Sequence, residues 1–345
     1  MEEKIKIYIP KSVNDILLKD MERFEIFKKD GSLNKNEFYN TLIMNYYEQY
    51  QERQSKLFGF IQETVLSNTG CSEALGNEVS AQIVRFTDTM NFQLDDQRSD
   101  ITIYMKPTAR SSATIDFIES YYIRNMTLSA YFRNMFASYS LLPQDRRERI
   151  IFKSNFDLIE QAIQNDRKIY FITTNKNSPH IASPYSICNS KEELFNYLLA
   201  DYNSFPFSFR MGRIRNVTVL NEPRQFTERN ISIFEKMTVY GPQFSYEVSN
   251  PTNEIVVELT ERGKKMYRSM YLHRPQYIKV EGDRYYFECS IQQAYQYFSR
   301  FGRNAMVISP KSLAGDLHKF HAMASKAYNR QAKGNRDENS KQKGS

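Results

Sequence analysis

The chain has 345 residues, 41% hydrophobic and 25% charged, too long for one ordinary domain and too apolar for wholesale disorder. The net charge of +7 is compatible with a nucleic-acid partner without establishing one. No apolar run approaches a membrane span of roughly 18 residues, no secretory-signal pattern opens the sequence, and Cys71, Cys188 and Cys289 are widely dispersed; these features predict a cytoplasmic protein without disulfides, zinc finger or membrane anchor.

The first predicted element is a half-buried strand at 4–10, where Ile5, Ile7 and Ile9 alternate with Lys4, Lys6 and Tyr8. Helices are expected at 13–28 and 34–54, separated by the turn Lys29-Asp30-Gly31-Ser32. In the second, Phe38, Leu42, Tyr46 and Tyr50 form a four-residue stripe. The pattern returns at 100–107, where Ile101, Ile103 and Met105 alternate with Thr102, Tyr104 and Lys106. Helical text follows at 111–122 and 129–142. The recurrence predicts a duplicated strand–helix–helix unit, its copies (1–54 and 100–150) joined by a polar helical connector over 55–99.

From 155 the chain changes character. A short helix at 156–164 precedes strand-like runs at 168–174, 180–188, 194–202 and 207–219, with turns at 175–179, 189–192 and 203–206. Short strands at this spacing predict a small β-barrel. Beyond Asn250-Pro251 the order is strand (254–260), helix (261–272), two strands (277–281 and 285–289) about the Gly282-Asp283 turn, helix (291–301), strand (305–308) and a helix from Pro310. This β-α-β-β-α-β order is ferredoxin-like. The last residues carry Lys326, Arg330, Lys333, Arg336, Lys341 and Lys343 against Asp337 and Glu338; 329–345 read as a disordered basic tail.

Four resemblances follow. The duplicated strand–helix–helix text resembles the ribbon-helix-helix fold, in which two lone strands pair antiparallel; here both copies would lie in one chain as a pseudo-dimer. The segment 151–240 resembles the WYL domain, an Sm-like β-barrel of bacterial transcription regulators and defence proteins. The family's naming tripeptide falls on Asn196-Tyr197-Leu198, with its Trp replaced. Its Phe-Arg-x-x-Arg-Ile segment falls on Phe209-Arg210-Met211-Gly212-Arg213-Ile214, and its Pro-Tyr on Pro184-Tyr185. The unit at 250–328, with Phe301-Gly302 near the end of its helix, resembles the dimerising extension that follows WYL domains. The combination resembles the WYL-domain accessory proteins encoded beside type VI-D CRISPR systems. That likeness implies a non-enzymatic homodimer that binds single-stranded RNA and stimulates the RNA-guided RNase effector. The fold expected is α+β and multidomain.

A groove for single strands needs cations for phosphates and aromatic faces for unpaired bases. Phe205, Phe207 and Phe209 alternate along one strand, followed by Arg210, Arg213 and Arg215. The candidate RNA-binding set is His180, Ser183, Tyr185, Tyr197, Phe209, Arg210, Arg213 and Arg215. Against it stands a plain reading in which the aromatics are barrel core and the arginines form salt bridges. The ribbon residues Lys4, Lys6, Tyr8, Tyr104 and Lys106 are candidates for DNA or partner contact, although residues 1–50 hold slightly more acid than base. The basic strip Arg262, Lys264, Lys265 and Arg268 reads as a solvated helix face. Val256, Met270, Tyr295 and Phe298 are candidate dimer-face residues.

Catalytic patterns such as GxGxxG, a P-loop or HExxH are not found. No cofactor or metal is expected: His318 and His321 read as a surface pair, and the neighbouring acids Asp95-Asp96 and Glu192-Glu193 as ordinary surface charge. The rival function is a DNA-binding transcription regulator whose WYL domain senses a nucleotide or single-stranded DNA.

Overall fold

The computed structural model describes residues 4–93, 100–123, 126–174, 178–190, 194–242, 244, 254–271 and 274–342. The paired acids Asp95-Asp96 and Glu192-Glu193, and parts of the turns expected at 175–179 and 189–192, lie outside the described residues. The chain is α+β, with helices and antiparallel strand pairs. It divides into two compact units: 1–158 with 173–177 and 211–215, and the remainder.

In the first unit, strand β1 (Ile5–Pro10) leads into helix α1 (Lys11–Arg23), which stops well before the expected residue 28. Glu25 takes a positive φ of 56°, which a continuing helix does not allow, and an isolated bridge between Phe27 and Leu33 closes the turn that follows. Helix α2 (Lys35–Thr69) starts on an Asn34 cap that accepts from the Glu37 amide, and runs unbroken to Gly70. The expected boundary at 54 therefore falls inside a helix. Its continuation has no Pro to break it and carries the Glu52–Lys56 pair one turn apart. The stop is Gly70, left-handed at φ 64°.

Helix α3 (Glu73–Gln93) returns along α2. Gly76 permits that approach, because a Cβ there would lie 2.6 Å from a Leu66 side-chain carbon. Strand β2 (Asp100–Met105) follows, then α4 (Ala109–Tyr121), opened by a Thr108/Ser111 capping box, and α5 (Leu128–Ser140), capped by Thr127. Helices α6 (Gln144–Ile151) and α7 (Lys153–Gln164) complete the segment.

Strands β1 and β2 pair antiparallel into a two-stranded ribbon, with Ile5 opposite Met105, Ile7 opposite Ile103 and Ile9 opposite Ile101. Helix α5 packs on this ribbon. The core around it is aromatic: Phe38, Tyr39, Tyr46, Tyr50, Tyr131, Phe132, Phe136 and Tyr139 are buried, with Tyr39 stacked on Phe136 and Tyr50 edge-on to Tyr131. Asp20, also buried, takes a forked contact from Arg147 (2.7 and 3.0 Å) and a hydrogen bond donated by the Tyr139 hydroxyl.

The second unit contains two sheets. Strands β3 (Arg167–Thr173), β4 (Pro179–Asn189), β5 (Asn196–Tyr202), β6 (Phe205–Arg210) and β7 (Ile214–Pro223) lie in the order β6-β5-β4-β3-β7. The single strand expected at 207–219 is two strands. A 3₁₀ turn at Met211–Arg213 interrupts it, and β6 and β7 form opposite edges of the sheet. Among the described residues the sheet is open, not the closed barrel expected. Helix α8 (Glu228–Tyr240), where no element was expected, packs Ile233, Phe234 and Met237 against Leu199 and Phe244.

The second sheet contains β8 (Glu254–Leu259), α9 (Glu261–Ser269), β9 (Tyr277–Glu281), β10 (Arg284–Glu288), α10 (Ile291–Phe298), β11 (Ala305–Ser309) and α11 (Lys311–Gln342), with strand order β11-β8-β10-β9. Its core joins Ile255, Val257, Leu259, Phe287, Tyr297, Phe298 and Leu313. Gly263 lies so close to the Asn304 carbonyl that a Cβ would stand 2.1 Å from it. The tail expected to be disordered is helical through Gln342; Lys, Arg, Gln and Ala over 322–333 all favour a helix.

Candidate nucleic-acid interface

On the ribbon, the pleat sends Ile7, Ile9, Ile103 and Met105 into the core and leaves their neighbours outside. Lys4, Lys6, Tyr8, Tyr104 and Lys106 are all exposed. Register places Lys6 opposite Tyr104 and Tyr8 opposite Thr102, so the two tyrosines are diagonal neighbours on one face. Tyr8 is 42% and Tyr104 58% exposed, and the Lys6 ammonium lies 4.7 Å from the centre of the Tyr8 ring. Hydrogen bonding to the Tyr8 hydroxyl raises the Lys6 pKa above its ordinary value. The far end of β2 is pinned to α2: the Lys106 amide donates to Asn36, and Asn40 donates to the Lys106 carbonyl.

The five-stranded sheet divides its candidates. His180 and Phe209 lie on one face with Phe171, Tyr202 and Phe207. The imidazole stacks on Phe171 (5.2 Å between centroids) and meets Tyr202 and Phe209 at 5.0 and 5.4 Å. This row continues outward along the edge strand, where Phe207 is 44% and Phe205 65% exposed.

Ser183, Tyr197 and Arg210 belong to the other face, where β5 sets Tyr197 opposite Arg210. Tyr185, at the bulge of β4, stacks on Phe234 of α8 (4.6 Å) and meets Phe226 edge-on. Ser183 is buried and accepts from the Gln225 amide. The Arg210 guanidinium lies over Phe195, 3.3 Å from its centre. Burial pushes the nearby Cys188 thiol up to about 12.

Arg213 and Arg215 pack within the first unit. Arg213 forks onto Glu25 (2.9 and 2.7 Å). Arg215 donates to the Gly212 and Ile214 carbonyls and covers the Phe152 ring at 4.9 Å; burial lowers its pKa from the usual arginine value. The five-stranded sheet therefore divides its own candidates between two faces, and Arg213 and Arg215 are engaged by partners within the first unit. Phe171, Phe195 and Tyr202 carry no sequence signal of their own and join these clusters only in the fold, whereas the outward Phe205 and Phe207 stand out in the sequence. The spacing of Phe205, Phe207 and Phe209 was the available signal.

Elsewhere, Lys264 pairs with Glu261 and Asp283 while Arg262, Lys265 and Arg268 are exposed. The four dimer-face candidates do not share a surface. Phe298 is buried in the core, Met270 and Tyr295 pack against it, and Val256 points to the opposite side of β8. No helix among the described residues is long and apolar enough to cross a membrane, and none of them cluster as metal ligands.

No protein-family model matches the chain, and no curated protein does. Among solved structures, the fold resembles a protein described as a CRISPR Cas-related protein. The match has a TM-score of 0.68 and 17% identity, over 96% of this chain and 95% of that one. A proteasome accessory factor B/C (PafBC) of Arthrobacter aurescens aligns over 91% of this chain and 48% of its own, with 12% identity and a TM-score of 0.24, too low to imply a common fold.

Proposed function

We propose that this protein is a non-enzymatic, CRISPR-associated accessory protein that binds single-stranded RNA and stimulates the RNA-guided RNase effector of a type VI-D system. The observation that carries RNA binding is the row of aromatic rings from His180 through Phe209 to the outward Phe207 and Phe205. Such a row accepts unpaired bases of any sequence, because every base has a face to stack. The CRISPR setting is supported by a fold shared over nearly the whole chain with a protein described as CRISPR Cas-related. In this reading the paired β1 and β2 form a ribbon-helix-helix pseudo-dimer, the open sheet with α8 is a WYL domain, and the last sheet is a ferredoxin-like extension that joins two copies.

One observation favours the rival, a DNA-binding regulator: Lys4, Lys6, Tyr8, Tyr104 and Lys106 do gather on one outward face of the ribbon. Titration of the full chain into labelled single-stranded RNA, single-stranded DNA and duplex DNA at two salt concentrations, read by anisotropy, separates the two. The accessory reading expects RNA to bind tightest and Phe205→Ala/Phe207→Ala to weaken it, with stimulated RNA cleavage when the effector is added. Tightest binding to duplex, abolished by Lys4→Ala/Lys6→Ala, would establish the regulator instead.

A further inference from the structure

A cavity of about 460 Å³ opens in the first unit between α2, the start of α4 and the junction of α6 and α7. Its α2 wall is a single helix face: Glu37, Asn40, Thr41, Met44 and Asn45 follow the three-and-four spacing that aligns side chains. The walls are held in place by hydrogen bonds. Asn45 donates to the Ile150 and Ile151 carbonyls, Asn155 to Ile214, and Ser111 to Asn40. Met44, Ile151 and Phe152 supply an apolar lining.

Two opposite charges, Glu37 and Arg110, line this one cavity, both exposed. They make no ion pair with each other, and among the described residues neither side chain has another charged partner. A carboxylate and a guanidinium that share a cavity without touching leave room for a ligand that carries both complementary charges.

We infer that this cavity is a binding site for a small zwitterion of the α-amino-acid type. The ligand's carboxylate lies against Arg110, its ammonium against Glu37, and its side chain on Met44 and Ile151. The volume suits a small ligand with accompanying water. Asn40 and Thr108 line the same cavity, and Asn40 also ties down the Lys106 carbonyl at the end of β2. Occupancy therefore stiffens the base of the ribbon. This inference is independent of RNA binding.

The test is calorimetry and thermal shift on the full chain with L-leucine, L-methionine and L-phenylalanine, beside their N-acetylated and their amidated forms, each of which lacks one charge. At least one free amino acid should saturate with a rise in Tm, and both of its capped forms should bind about tenfold weaker or worse. Arg110→Gln and Glu37→Gln, both at exposed positions, should each weaken binding similarly, and Thr41→Phe should block it by filling the cavity. Arg210→Ala should leave it unchanged, even if RNA affinity falls. No saturation up to about 10 mM, equal binding of the capped forms, full binding by Arg110→Gln, or saturation by nucleoside monophosphates instead would each overturn the assignment.

Discussion

The two-stranded ribbon and the five-stranded sheet are both built from alternating apolar and polar residues, yet they treat their candidate residues in opposite ways. The ribbon packs one face against helices and leaves the other in solvent, so alternation alone gathers Lys6, Tyr8 and Tyr104 on a common surface. In the sheet, α8 packs on one face and an aromatic cluster occupies the other. Neighbouring positions are separated by the thickness of the sheet: Phe209 joins His180, whereas Arg210 turns to Phe195. A run of attractive residue types makes a site only where one face is free.

That comparison can be sharpened by substitutions, beginning with the largest effect. Asp20 marks the buried extreme, since removing it strands Arg147 and the Tyr139 hydroxyl inside the first unit. Asp20→Ala should cost about 3–5 kcal/mol in denaturant unfolding. The half-exposed Arg213–Glu25 pair should cost under about 1 kcal/mol on Glu25→Ala. Comparable losses from the two would mean that burial does not set the worth of these arginine pairs.

Tyr185→Ala removes a ring stacked on Phe234 and should lower stability by about 2–4 kcal/mol, with RNA affinity little changed in molecules that remain folded. A stable variant that has lost RNA affinity would return Tyr185 to the binding surface. Phe205→Ala/Phe207→Ala should do the converse: unfolding is nearly unaltered, while anisotropy shows RNA weakened by about 1–3 kcal/mol for each base unstacked. Tyr8→Ala/Tyr104→Ala on the ribbon should shift stability by no more than about 0.5 kcal/mol, and any loss of duplex binding would mark that face as the DNA-contacting one.

The smallest effect near neutrality concerns Tyr39 and Tyr131, both pushed up to about 12 by burial. A raised tyrosine pKa means the folded state holds its proton more tightly than the unfolded chain. Stability is therefore undiminished below the ordinary value of 10 and falls as pH climbs from 10 towards 12. Absorbance titration should show these two ionising late, together with unfolding; early ionisation at 10 would mean the aromatic core is open to water.

Local rules made much of this molecule legible. Strict alternation located β1 and β2, and their repetition announced that they would pair. The helices expected from 261 and 291 begin at those residues, on the caps Thr260 and Ser290. Pattern was weakest where a long-range partner decides. Nothing local indicates that Arg213 folds back to Glu25, or that Arg215 lies on Phe152. Likewise, the run from Phe207 to Val219 reads as one strand until the turn at Met211–Arg213 divides it.

The sequence by itself determined which residues alternate, where several helices begin, and that an alternating aromatic run precedes an arginine cluster, because these follow from backbone periodicity and capping within a few residues. The tertiary structure alone decided which face of each strand remained in water. That depends on what packs from elsewhere in the chain: α5 on the ribbon, and α8 on one side of the sheet. Burial is a property of the assembled layers, and it left Phe205 and Phe207 at an open edge while it half-buried Tyr185 against Phe234.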